Sequence, residues 1–173
     1  DAAGNAASEV SRTVNVVDTT APLITLTGAS EITIEGGVNV TYTDAGYTAT
    51  DPYTNTDLSS SVVVSGTVNP KVVGDYTLLF NVSDSEGNAA TQAQRVVKVR
   101  DNANPVIALV GDAVVNHEAK TAYTDAGATA SDTVDGDITA NITTVSTVDV
   151  NVKGTYTVTY NVTDNAGLHA SQV

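Results

Sequence analysis

The 173-residue chain contains no Cys, Met or Trp and a single Phe. Without thiols there can be no disulfides, thiolate metal sites or thiol nucleophiles. The compartment stays open, because disulfides are permitted outside cells without being required there. Basic residues are scarce too: 7 Lys and Arg stand against 20 Asp and Glu, a formal net charge of −13. That charge makes nucleic acid and anionic membrane poor partners. No apolar run is long enough for membrane insertion, and nothing has the pattern of a signal peptide. The two histidines, His117 and His169, have no counterparts in the first half of the chain. No nucleophile elbow, zinc-type His spacing or phosphate-cradling loop accompanies them, so the sequence reads as that of a non-enzyme.

What is present is β-forming. Hydrophobic residues make up 41% of the chain, enough to bury a core. They are mostly Val, Ile and Ala, with abundant Thr beside them, and long helix-forming runs are absent. The sequence also repeats. Asp18-Thr-Thr-Ala-Pro22 returns as Asp101-Asn-Ala-Asn-Pro105, and Tyr42-Thr-Asp-Ala-Gly46 as Tyr123-Thr-Asp-Ala-Gly127. Gly74-Asp-Tyr-Thr returns as Gly154-Thr-Tyr-Thr, and Asn81-Val-Ser-Asp84 as Asn161-Val-Thr-Asp164. The shifts are 83, 81, 80 and 80, so small loop insertions separate two homologous units. A third, partial copy opens the chain: Asp1-Ala-Ala-Gly-Asn-Ala-Ala7 matches Asp84-Ser-Glu-Gly-Asn-Ala-Ala90, and the match runs on to Arg12 and Arg95. The expected organisation is a terminal strand of a preceding repeat at 1–17, a repeat at 18–100, and a second repeat at 101–173 without its last strand.

Each unit divides into short strands bounded by turn residues. Leu23-Ile-Thr-Leu26 follows a Pro, and Glu31-Ile-Thr-Ile-Glu35 alternates as a half-buried strand does. Val62 to Val68 is a further apolar run, and Gln94-Arg-Val-Val-Lys-Val99 a last strand. Tyr156, Val158, Tyr160 and Val162 share one face of a strand, as do Tyr76, Leu78, Phe80 and Val82. Six or seven such strands per unit predict a β-sandwich.

The string Tyr123-Thr-Asp-Ala-Gly-Ala-Thr-Ala-Ser-Asp132, with Asp135-Gly-Asp-Ile-Thr139 and Gly154-Thr-Tyr-Thr-Val-Thr-Tyr-Asn-Val-Thr-Asp164, resembles bacterial Ig-like repeats. It is similar to the Ig-like domain of pesticidal crystal proteins and of large surface adhesins. The resemblance implies an all-β chain of tandem immunoglobulin-like β-sandwiches of about seven strands each. It also implies an extracellular or cell-surface location and a role as a stalk or filament-forming repeat, with neighbouring copies as partners. The alternative is an accessory module of an adhesin or secreted hydrolase that binds a surface glycan or protein. Tyr47 and Tyr53 are the candidate contacts for such a ligand.

Acidic loops point to calcium, which takes six to eight oxygen ligands. Asp132, Asp135 and Asp137 form one spacing on a Gly-containing loop, where the first repeat has Asn55-Thr-Asp57. Asp18 and Asp101 precede the two repeats, and Asp84 and Glu86 lie on a turn near the end of the first. The resemblance implies calcium at such junctions, with Asp44 and Asp125 in the same region. The plain alternative is that these acids cap turns and set linker angles. The segment at 10–17 is a strand without a body. An open sheet edge invites pairing with another chain, so Val10, Arg12, Val14 and Val16 are expected to add to the last sheet of a neighbour. The competing expectation is a window on a continuous chain, whose neighbours supply both missing parts covalently.

Overall fold

A computed structural model describes residues 2–171. It is all-β, with 3-10 turns at Ser59–Ser61 and Thr139–Asn141. The first sandwich uses β1 (Leu23–Leu26), β2 (Glu31–Glu35), β3 (Tyr47–Thr50), β4 (Val63–Ser65), β5 (Gly74–Asn81) and β6 (Ala93–Arg100). β1 pairs with β3, and the other four form a sheet in the order β2-β6-β5-β4. The β2–β6 pair is parallel, while β5 lies antiparallel to both β6 and β4. The second sandwich has β7 (Val106–Leu109), β8 (Ala128–Asp132), β9 (Gly136–Asp137), β10 (Thr143–Ser146) and β11 (Val158–Asn161). Here the sheets are β7-β8-β9 and β10-β11. Six strands and then five are thus formed among the described residues, where the sequence suggested about seven per repeat.

Alternation sets the core as the sequence predicts. Leu78, Phe80 and Val82 are buried from one face of β5 and its continuation, and Val97 and Val99 from β6. Tyr47 on β3 reaches across to Phe80, ring centroids 5.1 Å apart, which ties the two sheets together. In the second sandwich Ile107, Ala130, Ile138, Tyr160 and Val162 form the core. β5 and β11 occupy equivalent positions, and the Tyr76 and Tyr156 hydroxyls both donate to a carbonyl four residues back, at 2.8 Å.

The apolar run from Val62 yields only the three-residue edge strand β4, with Val63 and Val64 exposed. Gly66 then brings the backbone against β5: φ is +94°, and a Cβ there would stand 2.2 Å from the Thr77 carbonyl oxygen. Gly66→Ala therefore adds a backbone collision to the usual cost of a side chain at positive φ. It is expected to lower the urea midpoint by more than the equivalent of about 2 kcal/mol. Gly87→Ala, at φ +91° with open space around it, should cost only about 1 kcal/mol.

Residues 10–17 take part in no strand pairing among the described residues, and Val10, Val14, Val16 and Val17 are exposed. A strand exists only with a ladder partner, and here the segment has none.

Candidate metal centres at the repeat linkers

Asp18 lies just before the first sandwich. Its Oδ1 accepts the Thr20 amide at 2.8 Å, a short turn that fixes the carboxylate. The hairpin after β5 comes up beside it. There the Asp84 carboxylate accepts the Asn88 amide at 2.7 Å and the Asn88 side chain at 2.8 Å. Asn88 also donates to the Asp18 carbonyl at 3.3 Å, which ties linker to hairpin. Asp18, Asp84 and Glu86 thus each offer a carboxylate oxygen within 4.8 Å of the others. Asp18 Oδ2 is buried with no hydrogen-bond partner.

The second linker repeats the arrangement with a different third acid. Asp101 follows β6 directly, and Asp164 holds its hairpin as Asp84 does, accepting the Leu168 amide at 2.7 Å. Residue 166, aligned with Glu86, is Ala; the missing charge comes instead from Asp135, in the loop between β8 and β9. Asn165 binds both Asp135 oxygens, at 2.8 and 2.7 Å, and so turns that loop toward the hairpin. Asp101, Asp135 and Asp164 form the second group of oxygens within 4.8 Å.

Asp132 completes the surroundings. Its Oδ1 accepts the Val134 and Asp135 amides at 2.7 and 3.0 Å. Its Oδ2, together with Asp164 Oδ2 and Asp101 Oδ1, is buried without a partner. Asp132 and Asp164 retain only 9% and 7% exposure. Buried carboxylate oxygens without a partner are costly unless their charge is compensated. Burial first, and then the charge of Asp132, push the Asp101 carboxyl above its ordinary value.

The first sandwich shows how the same position looks when satisfied within the protein. Asp51 stands where the second has Asp132, and three residues later Thr54 stands where the second has Asp135. The Thr54 hydroxyl donates to Asp51 Oδ2 at 2.5 Å and holds that carboxyl below its ordinary value. Each linker therefore has one three-carboxylate group, its third member drawn from whichever loop carries the spare acid.

Of the acids singled out from sequence, Asp18, Asp84, Glu86, Asp101 and Asp135 are brought together in these two groups, and Asp132 adjoins the second. Asp84 and Glu86 join Asp18, which precedes their own repeat, and not Asp101, which follows it. The reason is topological: the hairpin after β5 returns to the end of the sandwich where its chain entered. Asp137 is placed elsewhere, accepting the Thr139 amide at 2.9 Å as a turn cap. Asp44 is also elsewhere, salt-bridged to Arg95 at 2.6 Å. Asp125, its equivalent, accepts the hydroxyls of Tyr123 and Tyr160, and this pushes the Tyr160 phenol up to about 12. Tyr47 is the first residue of β3 and packs on Phe80, while Tyr53 lies past the other end of the strand and is exposed. Asp164 is the ligand candidate the sequence reading left out. Its alignment with Asp84 was the available signal.

The linkers also bind the sandwiches to each other. Asn102 donates to both Glu35 oxygens at 2.8 and 3.0 Å, and the Val38 amide reaches the Thr133 carbonyl at 3.3 Å. Gly37 permits this approach, since a Cβ there would lie 2.9 Å from the Thr133 oxygen.

An uncharacterised 81.3 kDa protein of Acholeplasma phage L2 is 30% identical over 167 residues, covering 92% of this chain and 22% of that protein. The chain thus spans about a fifth of that relative's length. A lipoprotein of Bacteroides thetaiotaomicron is 18% identical with a TM-score of 0.42, over 84% of this chain and 62% of its own. A Clostridium perfringens structure of an M60 catalytic domain with two CBM51 domains is 15% identical with a TM-score of 0.42, over 91% and 30%. The model of the family described as "Bacterial surface protein, Ig-like domain" matches residues 24–99 and again residues 107–173. The two matched segments coincide with the two sandwiches, and the chain belongs to the bacterial surface protein Ig-like domain family.

Proposed function

We propose that this chain is a non-enzymatic length of a surface-exposed or secreted stalk, in which calcium at each linker locks one Ig-like repeat to the next. The observation that supports this most directly is the pair of carboxylate groups, one at each linker, with three of their oxygens, and one of the adjoining Asp132, buried and unpartnered. Oxygen-only donors with no nitrogen or sulfur ligand suit a hard cation, and the loops and linkers that carry them suit calcium's flexible coordination. Asp18, Asp84 and Glu86 would hold one ion. Asp101, Asp135 and Asp164, with Asp132 beside them, would hold the other. A bound ion joins the linker to the hairpin and loop that meet there, and so removes the freedom of the chain between repeats. Small repeats that bury limited cores gain stability from such neighbour and metal contacts.

Calorimetric titration with calcium should find two sites per chain; no heat at millimolar calcium would refute the reading. Asp101→Asn gives a test by sign. In chelator it removes a repelled, partly buried charge and should raise the melting temperature of the second repeat. With calcium it removes a ligand and should lower that temperature relative to wild type. A change of the same sign in both conditions would show that Asp101 serves only as a turn cap. The accessory-module reading would need clustered exposed aromatics, and Tyr47 and Tyr53 are not brought together.

A further inference from the structure

The acids of the second linker stand on a framework that the first repeat supplies. Asp101 is bracketed by two ties to the chain at the end of β2. On one side the Arg100 carbonyl accepts the Gly36 amide at 2.7 Å. On the other, Glu35 holds Asn102 through two bonds, at 2.8 and 3.0 Å. The Gly37 amide donates to the Pro70 carbonyl at 2.9 Å, so this corner is also fixed to the connection between β4 and β5. The next residue, Val38, reaches across to the second repeat and donates to the Thr133 carbonyl at 3.3 Å. Thr133 lies in the loop that carries Asp132 and Asp135. One loop therefore presents acids to the linker and a carbonyl to the first repeat.

We propose that residues 35–38 are a positioning element for calcium at the second linker, so that metal binding and seating of the second repeat on the first are one coupled equilibrium. The inference rests on the calcium reading of that linker and adds to it residues that contribute no ligand. The loop transmits the coupling because it is held as a unit. Asp132 Oδ1 grips the Val134 and Asp135 amides together, and Asn165 holds both Asp135 oxygens. A displacement of Thr133 is therefore passed on to both acids and not absorbed between them. Placement matters at this site, because Asp132 and Asp164 are more than nine-tenths buried and each keeps an oxygen without a partner. A cation offsets that burial only where its oxygen ligands reach it together.

Two glycines make the seat. A Cβ on Gly37 would stand 2.9 Å from the Thr133 oxygen, and one on Gly36 would stand 3.2 Å from the Pro70 oxygen and 3.0 Å from Val99. Backbone cannot swing aside as the end of a long side chain can, so a side chain at position 37 pushes the loop away. The aligned residues of the second repeat are His117 and Glu118, which makes the seat particular to the first repeat. Beside it, Val72 and Val73 of the first repeat and Val134 of the second line a cleft of about 350 Å³, which Asp101 and Asp135 also line. Seat and site thus share one cleft. By linkage, whatever seats the loop favours the metal, and the metal favours seating to the same extent.

The test is calorimetric titration of the 173-residue chain with calcium, in an Asp84→Asn background that leaves the second site to be read alone. Gly37→Ala changes no charge and no ligand, yet it should weaken that site about tenfold, within the usual range of coupling between sites. Glu35 is exposed, so its variants keep the fold. Glu35→Ala frees Asn102 and should weaken the site as well, while Glu35→Gln keeps an acceptor for Asn102 and should weaken it less. The chain has no Cys, so spin labels at the exposed positions Thr77→Cys and Thr144→Cys report one repeat each. Calcium should narrow the distribution of distances between them, and narrow it less in Gly37→Ala. Calcium affinity unchanged by Gly37→Ala would overturn the coupling. So would equal narrowing with and without that substitution, or equal losses from Glu35→Ala and Glu35→Gln, which would trace the effect of Glu35 to its charge alone. A wild-type chain that binds no calcium would remove the metal reading and this coupling together, whereas two intact sites indifferent to Gly37→Ala would remove the coupling only.

Discussion

Arg95→Ala is expected to cost the first repeat about 3 kcal/mol of stability, the low end of the range for breaking a buried ion pair. Arg95 is 1% exposed, yet its guanidinium neutralises Asp44 and bonds two backbone carbonyls on the opposite side of the core. Its removal leaves the Asp44 charge without its counter-ion and the Thr27 carbonyl without this donor, and opens a cavity between Val97, Phe80 and the β1–β3 sheet. The Asp44 side chain is 24% exposed, so water recovers part of the lost solvation, which sets the estimate at the low end. A domain of this size holds roughly 4–12 kcal/mol in total, so the loss is a large fraction. It corresponds to a fall in melting temperature on the order of 15 °C. The checks are urea unfolding followed by circular dichroism, and a double-mutant cycle. Replacing both members, Arg95→Met with Asp44→Leu, should recover much of the loss, because desolvating two charges offsets most of their attraction. By contrast Lys98→Ala, which breaks the exposed pair with Glu31, should cost about 0–1 kcal/mol. Equal effects from Arg95→Ala and Lys98→Ala would contradict the structural assignment of Arg95.

Removing calcium should have the second large effect. A ligand at 100 times its dissociation constant stabilises the folded state by about 2.7 kcal/mol per site. Two sites on two repeats should then give a fall in melting temperature on the order of 10 °C in each when chelator is added. Asp164→Asn separates the two. It removes the most buried candidate ligand at the second linker, so the second repeat should lose its calcium dependence while the first keeps it. Differential scanning calorimetry with and without calcium reads both transitions. Magnesium should substitute poorly, since it demands near-octahedral geometry and dehydrates reluctantly. Identical melting curves in calcium and chelator would end the metal reading for both linkers.

Much of this protein was legible in its sequence. The recurrence of Asp-Pro linkers and of the Tyr-Thr-Asp-Ala-Gly string marked two units. The alternation through Tyr76, Leu78, Phe80 and Val82 set both a strand and its inward face, because side chains on a pleated strand alternate whatever they pack against. The aligned turns at Asp84 and Asp164 were legible for the same reason: hairpin chemistry is local. Where the sequence reading faltered, partners distant along the chain decided the outcome. Residues 62–68 look like a full strand, but β4 is short because it sits at a sheet edge and Gly66 turns it against β5. The Asp44 and Asp84 carboxylates look alike as residues. One is matched by Arg95, 51 positions away, and the other faces Asp18, 66 positions away. The Asp-Gly-Asp spacing suggested Asp135 and Asp137 as a pair, yet they fall on opposite sides of the turn, one at the linker and one capping a 3-10 turn.

By itself, then, the sequence determined the β class, the two repeats and the inward faces of the main strands, because periodicity and turn chemistry are properties of neighbouring residues. Only the tertiary structure decided which acids share a site and which arginine is buried. Those depend on how strands far apart in the chain are ordered side by side, and no local pattern encodes that order.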